Sequence, residues 1–237
     1  MSLPRPPSRA RCVLVFARTP FLEARAKRMP AARALFACAR ARVLAASAAS
    51  GGDVVVAAPG APGPPPPGTI GLPQRGSTFA ERLANALADA RRLGYEEIVV
   101  VPGDVPGLDA RHLRAAFARL RAGPTVLGPS PDGGVYLLGV RGEFGSVLAG
   151  VPWCTPQVFK TLVANAGRAA VLPALADVDG HAHLRALLSI PRLDAELAFL
   201  VAALLARAAW PPPAVPAASS HPQRFPFASR PPPPLAA

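Results

Sequence analysis

The sequence predicts a single α/β domain in which a mostly parallel central sheet is flanked by helices, and three observations predict it. Short Val- and Ile-rich runs at residues 12–17, 53–58 and 98–101 stop at Gly, Pro or polar residues, as befits strands covered on both faces. Between them lie segments whose apolar residues recur with a helical period and carry end signals. The two kinds alternate, and repeated strand–helix units build parallel sheets.

Residues 1–10, rich in Pro and Arg, read as a disordered leader before a domain spanning 11–190. Its first strand runs into RTPFLEARAKRMP, a polar basic loop, after which Pro30 suits the first turn of a helix. Leu35, Phe36, Ala39, Val43 and Leu44 keep that helix in period until Gly51 and Gly52. Strand, basic loop, helix is the order in which nucleotide-binding α/β proteins hold phosphates, although an ordinary connection with scattered arginines has the same order. After the second strand, residues 59–68 hold six prolines and three glycines, which suits a surface loop inserted in the domain. Thr78 and Glu81 form a capping-box pattern for a helix with Phe79, Leu83, Ala86, Leu87 and Ala90 on one face.

The strand at 98–101 halts at Gly103 and presents Asp104. A short acid at a strand's carboxyl end suits a hard cation and its attached phosphates, or a turn that satisfies its own backbone. Asp109 caps the next helix, which carries Leu113, Ala116, Phe117 and Leu120 inward, and a short strand follows at 125–128. Asp132-Gly133-Gly134 then reads as a hairpin turn into a strand at 135–140, or as a place where bare backbone lets a sugar or base approach. Thr155 and Pro156 suit the N-cap and first position of a helix ending at Gly167. Trp153, just before, is a hydrophobic staple or a platform for a ring. Asp177 falls at the end of a last strand, and Asp179 suits the cap of a helix with Leu184, Leu187 and Leu188. A C-terminal helix over 191–210 precedes a disordered tail, 211–237, with ten prolines.

The formal charge is +12, yet only Lys27 and Lys160 are lysines among 26 basic residues, a bias typical of GC-rich coding as much as of a binding surface. Residues 1–42 carry ten basic side chains against one acid, Glu23, which suits an anionic ligand. No nucleic-acid module is present, and the aromatics are not interleaved with the arginines. Three widely spaced cysteines form no disulfide framework and suit a reduced, cytoplasmic protein. The apolar run at 197–206 is about half a membrane span, and His181 and His183 lack a third nitrogen or sulfur ligand for zinc. Nothing in the sequence specifies an oligomeric state.

Four motifs in order, PGDVPGLDARHL, LGPSPDGGVYLLGV, VPWCTPQVF and DVDGHAHL, give the chain from about residue 12 to 188 a resemblance to a bacterial GT-A-type glycosyltransferase family. That family is often labelled arsenosugar-biosynthesis-like and was long a domain of unknown function. It is related to the 2-phospholactate and molybdenum-cofactor guanylyltransferases, with which it shares the nucleotide-diphospho-sugar transferase fold. The resemblance implies a nucleotide-sugar donor, a small-molecule acceptor and a divalent ion, Mg²⁺ or Mn²⁺, on Asp104. It implies that Asp132, Gly133 and Gly134 shape the sugar or acceptor side, to which Trp153 would add its platform for a ring. Asp177 or Asp179 would add a second carboxylate or serve as catalytic base, and Arg18, Arg25, Lys27 and Arg28 would clamp the diphosphate. Relatives carry KAPVPGRVKTRL after the first strand, where this chain has RTPFLEARAKRM, so Leu22 and Glu23 replace Pro and Gly and the expected lysine falls on Ala26. A carboxylate at Glu23 is expected to oppose a diphosphate, unless it pairs with Arg25 or Arg28. Nucleotidyl transfer on the same fold, or a nucleotide-binding relative without catalysis, are the alternatives.

Overall fold

A computed structural model describes residues 10–60, 64–188 and 194–209. Seven strands form one sheet: β1 (Arg11–Phe16), β2 (Asp53–Pro59), β3 (Ile70–Gln74), β4 (Glu97–Val101), β5 (Thr125–Pro129), β6 (Val135–Arg141) and β7 (Ala170–Val171). Their order is β3-β2-β1-β4-β6-β5-β7. Four of the six pairings are parallel, and β6 runs antiparallel to both β4 and β5. The chain moves outward from β1 through β2 and β3, then returns to β1's other side with β4. The order therefore reverses at the carboxyl ends of β1 and β4, where a crevice opens in sheets of this kind.

Seven of the helices are α1 (Pro20–Ala26), α2 (Arg33–Ala48), α3 (Phe79–Arg92), α4 (Ala110–Ala122), a single turn α5 (Gly145–Leu148), α6 (Val158–Ala166) and α7 (His181–Leu187); α8 (Ala195–Ala209) follows. Side chains alternate across each strand, so β1 sends Val13 and Val15 to one core with α2 and α4, and Cys12 and Leu14 to another with α3 and α6. A third cluster joins α1, α2, α7 and α8 through Ala24, Leu35, Phe36, Leu184, Leu197 and Val201. Both faces of the sheet are thus covered, which is why its central strands are apolar throughout.

Local signals explain the helix starts. Thr78 Oγ1 accepts from the Glu81 N–H at 3.1 Å while Glu81 Oε2 accepts from the Thr78 N–H at 3.2 Å, closing the expected capping box. Asp109 caps α4 through the Arg111 and His112 N–H groups. The regular part of α6 begins at Val158, three residues beyond Thr155, whose Oγ1 instead accepts from Gln157 N at 3.3 Å and donates to Pro152 O at 2.7 Å. Within it Val158 and Leu162 are buried and Val163 is exposed.

Three further differences have physical causes. The segment read as a basic loop contains α1: Thr19 caps it by accepting from Leu22 N at 3.3 Å, Pro20 occupies its first position, and Glu23 lies in its first turn. Leu22 and Glu23, standing where Pro and Gly would interrupt the backbone, let this turn close. β3 was not anticipated because Gly71 and Pro73 interrupt it, but β3 is an edge strand, where a missing N–H is tolerated. Asp177 lies beyond β7, not at a strand end. The leader at 1–9, loop residues 61–63, the tail from 210 onward and the side chain of His181 lie outside the described residues. Among the described residues no helix is long and apolar enough to cross a membrane, and all three cysteines are free.

Candidate functional site

At the strand-order reversal lies a cavity of about 460 Å³, floored by Ala17, Pro102, Gly103 and Asp104. Asp104 lies three residues beyond the end of β4, and its backbone carbonyl accepts from Val178 N at 3.1 Å, which ties the late segment at 177–179 to the sheet. Although carboxylates are seldom buried unpaired, Asp104 is only 6% exposed. Its Oδ2 accepts from Lys27 Nζ, whereas Oδ1 is buried with no hydrogen-bond partner. A buried acceptor left open costs free energy unless a donor or cation meets it.

Lys27 reaches this floor from the end of α1. Its Nζ also donates to Val178 O and to Asp179 Oδ1, each at 2.6 Å, and lies 3.8 Å from Glu23 Oε1. Burial disfavours the ammonium, but Asp104 and Asp179 outweigh it and hold its pKa above the ordinary lysine value. Glu23, pushed up chiefly by burial and then by Asp104, sits 3.5 Å from Arg18 Nη1. Its partners are therefore Arg18 and Lys27, not Arg25 or Arg28. Glu23→Gly should consequently lower the melting temperature by a few degrees, since it removes both ion pairs and places Gly in a helix at about 1 kcal/mol. The roughly tenfold gain in nucleotide affinity that a less crowded phosphate loop would bring should not appear in calorimetric titrations of this variant.

Carboxylate oxygens of Asp132, Asp177 and Asp179 lie within 4.8 Å of one another. Asp132 is oriented by the Gly134 N–H, which donates to its Oδ1 at 3.0 Å. The Asp177 carboxyl is pushed up to about 7, first by burial, then by the charges of Asp179, Asp104 and Asp132. Three carboxylates at this spacing fit a divalent cation, and Asp104 lines the same cavity outside that group. Asp177 also sets a pH dependence. Its folded pKa lies above the unfolded value of about 3.9, so metal-free stability is full below that value and falls as pH rises towards 7. Asp177→Asn should therefore raise stability in chelator by about 1–2 kcal/mol at pH 8, but not at pH 4, in melting scans.

The opposite wall is aromatic. Phe79 packs edge-on to Phe16 with ring centroids 5.5 Å apart, and Trp153 lies 5.2 Å from Phe79. Trp153 is thus both packed and cavity-lining. Gln74 stands nearby, with Nε2 donating to Ala57 O at 3.0 Å, and Arg82 donates to Ser77 O at 3.2 Å.

Of the residues anticipated from sequence, the cavity brings together Arg18, Lys27, Asp104, Asp132, Gly134, Trp153, Asp177 and Asp179. Arg25 and Arg28 are exposed and lie outside its lining, and so does Gly133. Gly133 is demanded by packing: a Cβ there would fall 2.1 Å from the Pro156 carbonyl oxygen, at φ +87°. Gln74, Phe79 and Arg82 join the site unforeseen, and Glu23, expected to oppose a diphosphate, lines it too. Gln74 belongs to the strand that the sequence hides, whereas Arg82 and Phe79 follow from the capped start of α3. The carboxylate of Asp179 accepts from Lys27, and its backbone N–H donates to His183 Nδ1 at 3.1 Å.

A mostly parallel sheet with its acidic cleft at the order reversal defines an α/β protein of the nucleotide-diphospho-sugar transferase fold. The chain belongs to the family described as "Uncharacterized protein conserved in bacteria (DUF2064)", whose model matches residues 28–155, more than half of its length. A protein from Desulfovibrio desulfuricans G20, solved as a candidate nucleotide-diphospho-sugar transferase, shares the fold with a TM-score of 0.71 and 22% identity. That match covers 84% of this chain and 97% of that one. Rv0371c from Mycobacterium tuberculosis H37Rv, solved in complex with manganese, aligns with a TM-score of 0.51 and 20% identity over 75% of this chain and 97% of that one. In sequence, 71 residues are 45% identical to the 3-phospho-D-glycerate guanylyltransferase of Phenylobacterium zucineum strain HLK1. The match spans 30% of this chain and 29% of that protein.

Proposed function

We propose that the chain catalyses metal-assisted transfer of a nucleotidyl group from a nucleoside triphosphate to a small phosphorylated acceptor. The observation that carries the reading is the meeting of Asp132, Asp177, Asp179 and the open Asp104 Oδ1 in one cavity with an aromatic wall and the cations Arg18, Lys27 and Arg82. The local identity to a guanylyltransferase makes GTP the first donor to test.

The four carboxylates would hold Mg²⁺ or Mn²⁺, which neutralises charge on the triphosphate and on departing pyrophosphate. Phe16, Phe79 and Trp153 offer faces for the base. Arg18, Arg82 and Lys27 hold phosphate oxygens. An oxygen of the acceptor's phosphate forms a bond to the α-phosphorus as the bond from that phosphorus to the β-phosphate oxygen breaks, and the electron pair leaves with pyrophosphate. The attacking oxygen is already ionised at neutral pH, so this reaction needs no protein base.

Glycosyl transfer from a nucleotide sugar is the second reading, and Asp177 favours it: a carboxyl raised to about 7 suits a general base for an acceptor hydroxyl. Phosphorus NMR on Mn²⁺-loaded protein, with GTP or a GDP-sugar and a panel of phosphorylated acids and sugars, decides between them. Pyrophosphate released from GTP supports nucleotidyl transfer; GDP released from the sugar nucleotide supports glycosyl transfer. Absence of binding and turnover with both donors would refute both.

A further inference from the structure

We propose that Lys27 is a tethered cation seated on Asp104 and Asp179 at the edge of the carboxylate cluster, and that metal entry displaces its ammonium from them. The proposal rests on the metal-assisted reading above. Three acceptors from distant parts of the chain converge on one Nζ: Asp104 Oδ2, Asp179 Oδ1 and Val178 O. The side chain is 12% exposed, so this is an enclosed position and not a surface pairing. Its stem passes the Phe36 ring, whose centroid lies 5.8 Å from Nζ.

Two of those acceptors belong to carboxylates assigned to the metal. Asp104 divides its oxygens, one on Lys27 and one open, and Asp179 joins both the Lys27 pairing and the Asp132–Asp177–Asp179 cluster. An ammonium seated on these two carboxylates meets a divalent ion arriving on the same groups with like charge, and a buried position screens that repulsion little. Lysine suits a removable cation: it is a compact charge on a flexible four-carbon stem, able to withdraw by rotating about its own bonds. Arginine, with its planar fork, would clamp the carboxylates more rigidly. A triphosphate entering the cavity offers the displaced ammonium new acceptors. Phosphate binding and metal binding then each release what the other needs, and the two become mutually reinforcing.

The chain has only two lysines, so the unaltered protein can report the displacement. Lys160 is exposed and serves as the internal reference. Acylation needs the amine nitrogen reachable and free of acceptors, and at Lys27 three acceptors and an exposure of 12% oppose both. With an amine-reactive reagent and peptide mass spectrometry, Lys27 should react at least tenfold more slowly than Lys160 in chelator. Mn²⁺ alone should raise the Lys27 to Lys160 ratio at least fivefold, and adding a non-hydrolysable GTP analogue should lower it again. In calorimetry, Lys27→Met and Lys27→Gln should each bind Mn²⁺ at least tenfold more tightly than the parent, with circular dichroism confirming the fold. Saturation by Mn²⁺ with no change in Lys27 reactivity, or unchanged Mn²⁺ affinity in whichever variant folds, would overturn the displacement while leaving the metal-assisted reading standing. Failure of parent and variants alike to bind Mn²⁺ would overturn both.

Discussion

Asp104→Asn should abolish metal-dependent nucleotide binding, raising the dissociation constant of GTP with Mn²⁺ by roughly 100-fold, or about 2.7 kcal/mol. The asparagine is nearly isosteric, but it removes the charge from the one carboxylate that is both deeply buried and open at one oxygen. Lys27 would keep Asp179 and the Val178 carbonyl as partners, so the folded chain should lose about 1–3 kcal/mol and not unfold. Calorimetric titration beside a melting curve separates the two effects. Binding by the variant as tight as the parent's would remove Asp104 from the metal site.

Gly133→Ala is expected to be the most damaging small substitution in the cavity's surroundings. A left-handed backbone costs alanine about 1–2 kcal/mol, and forcing its methyl against main chain adds about 1–3 kcal/mol. The obstacle is the Pro156 carbonyl, which cannot swing aside as a side chain would, because the adjoining start of α6 is held by the Phe159 N–H donating to Gly133 O at 2.9 Å. Relief would have to move the turn itself, and Asp132 with it. A fall in urea midpoint together with weakened Mn²⁺ binding would be the signature. Gly142→Ala, also at positive φ but with open space where its Cβ would project, should show only the backbone cost.

What could be read from sequence was what short-range chemistry dictates. Central strands, the capped helices α3 and α4 and the position of Asp104 just past a strand follow from apolar runs and from caps within four residues. α1 was hidden although Thr19, Pro20 and Glu23 formed a usable start signal, because the surrounding arginines and lysine resembled a phosphate loop. β3 was hidden because its pairing with β2, and not its composition, makes it a strand. The carboxylate cluster was only partly visible. Asp177 and Asp179 stood out as acids and Asp132 as a turn residue, but that their oxygens approach one another depends on a late segment docking against β4's carboxyl end. Nor could spacing reveal that Lys27 would turn inward while Arg25 and Arg28 face out, since that depends on how α1 ends, with Lys27 at its C-cap and Arg28 at positive φ.

The bond from Val178 N to Asp104 O and the pairing of Lys27 with Asp179, 152 residues apart, also constrain when this protein becomes competent during its own synthesis. At about 5–20 residues per second, a ribosome that has just completed β4 still needs several seconds to deliver residues 177–179. Throughout that interval Asp104 lacks its late backbone partner and Lys27 lacks its second carboxylate. Asp177 and Asp179 complete the cleft late, so a chain arrested before them would carry the sheet's central strands with one of the three clustered carboxylates.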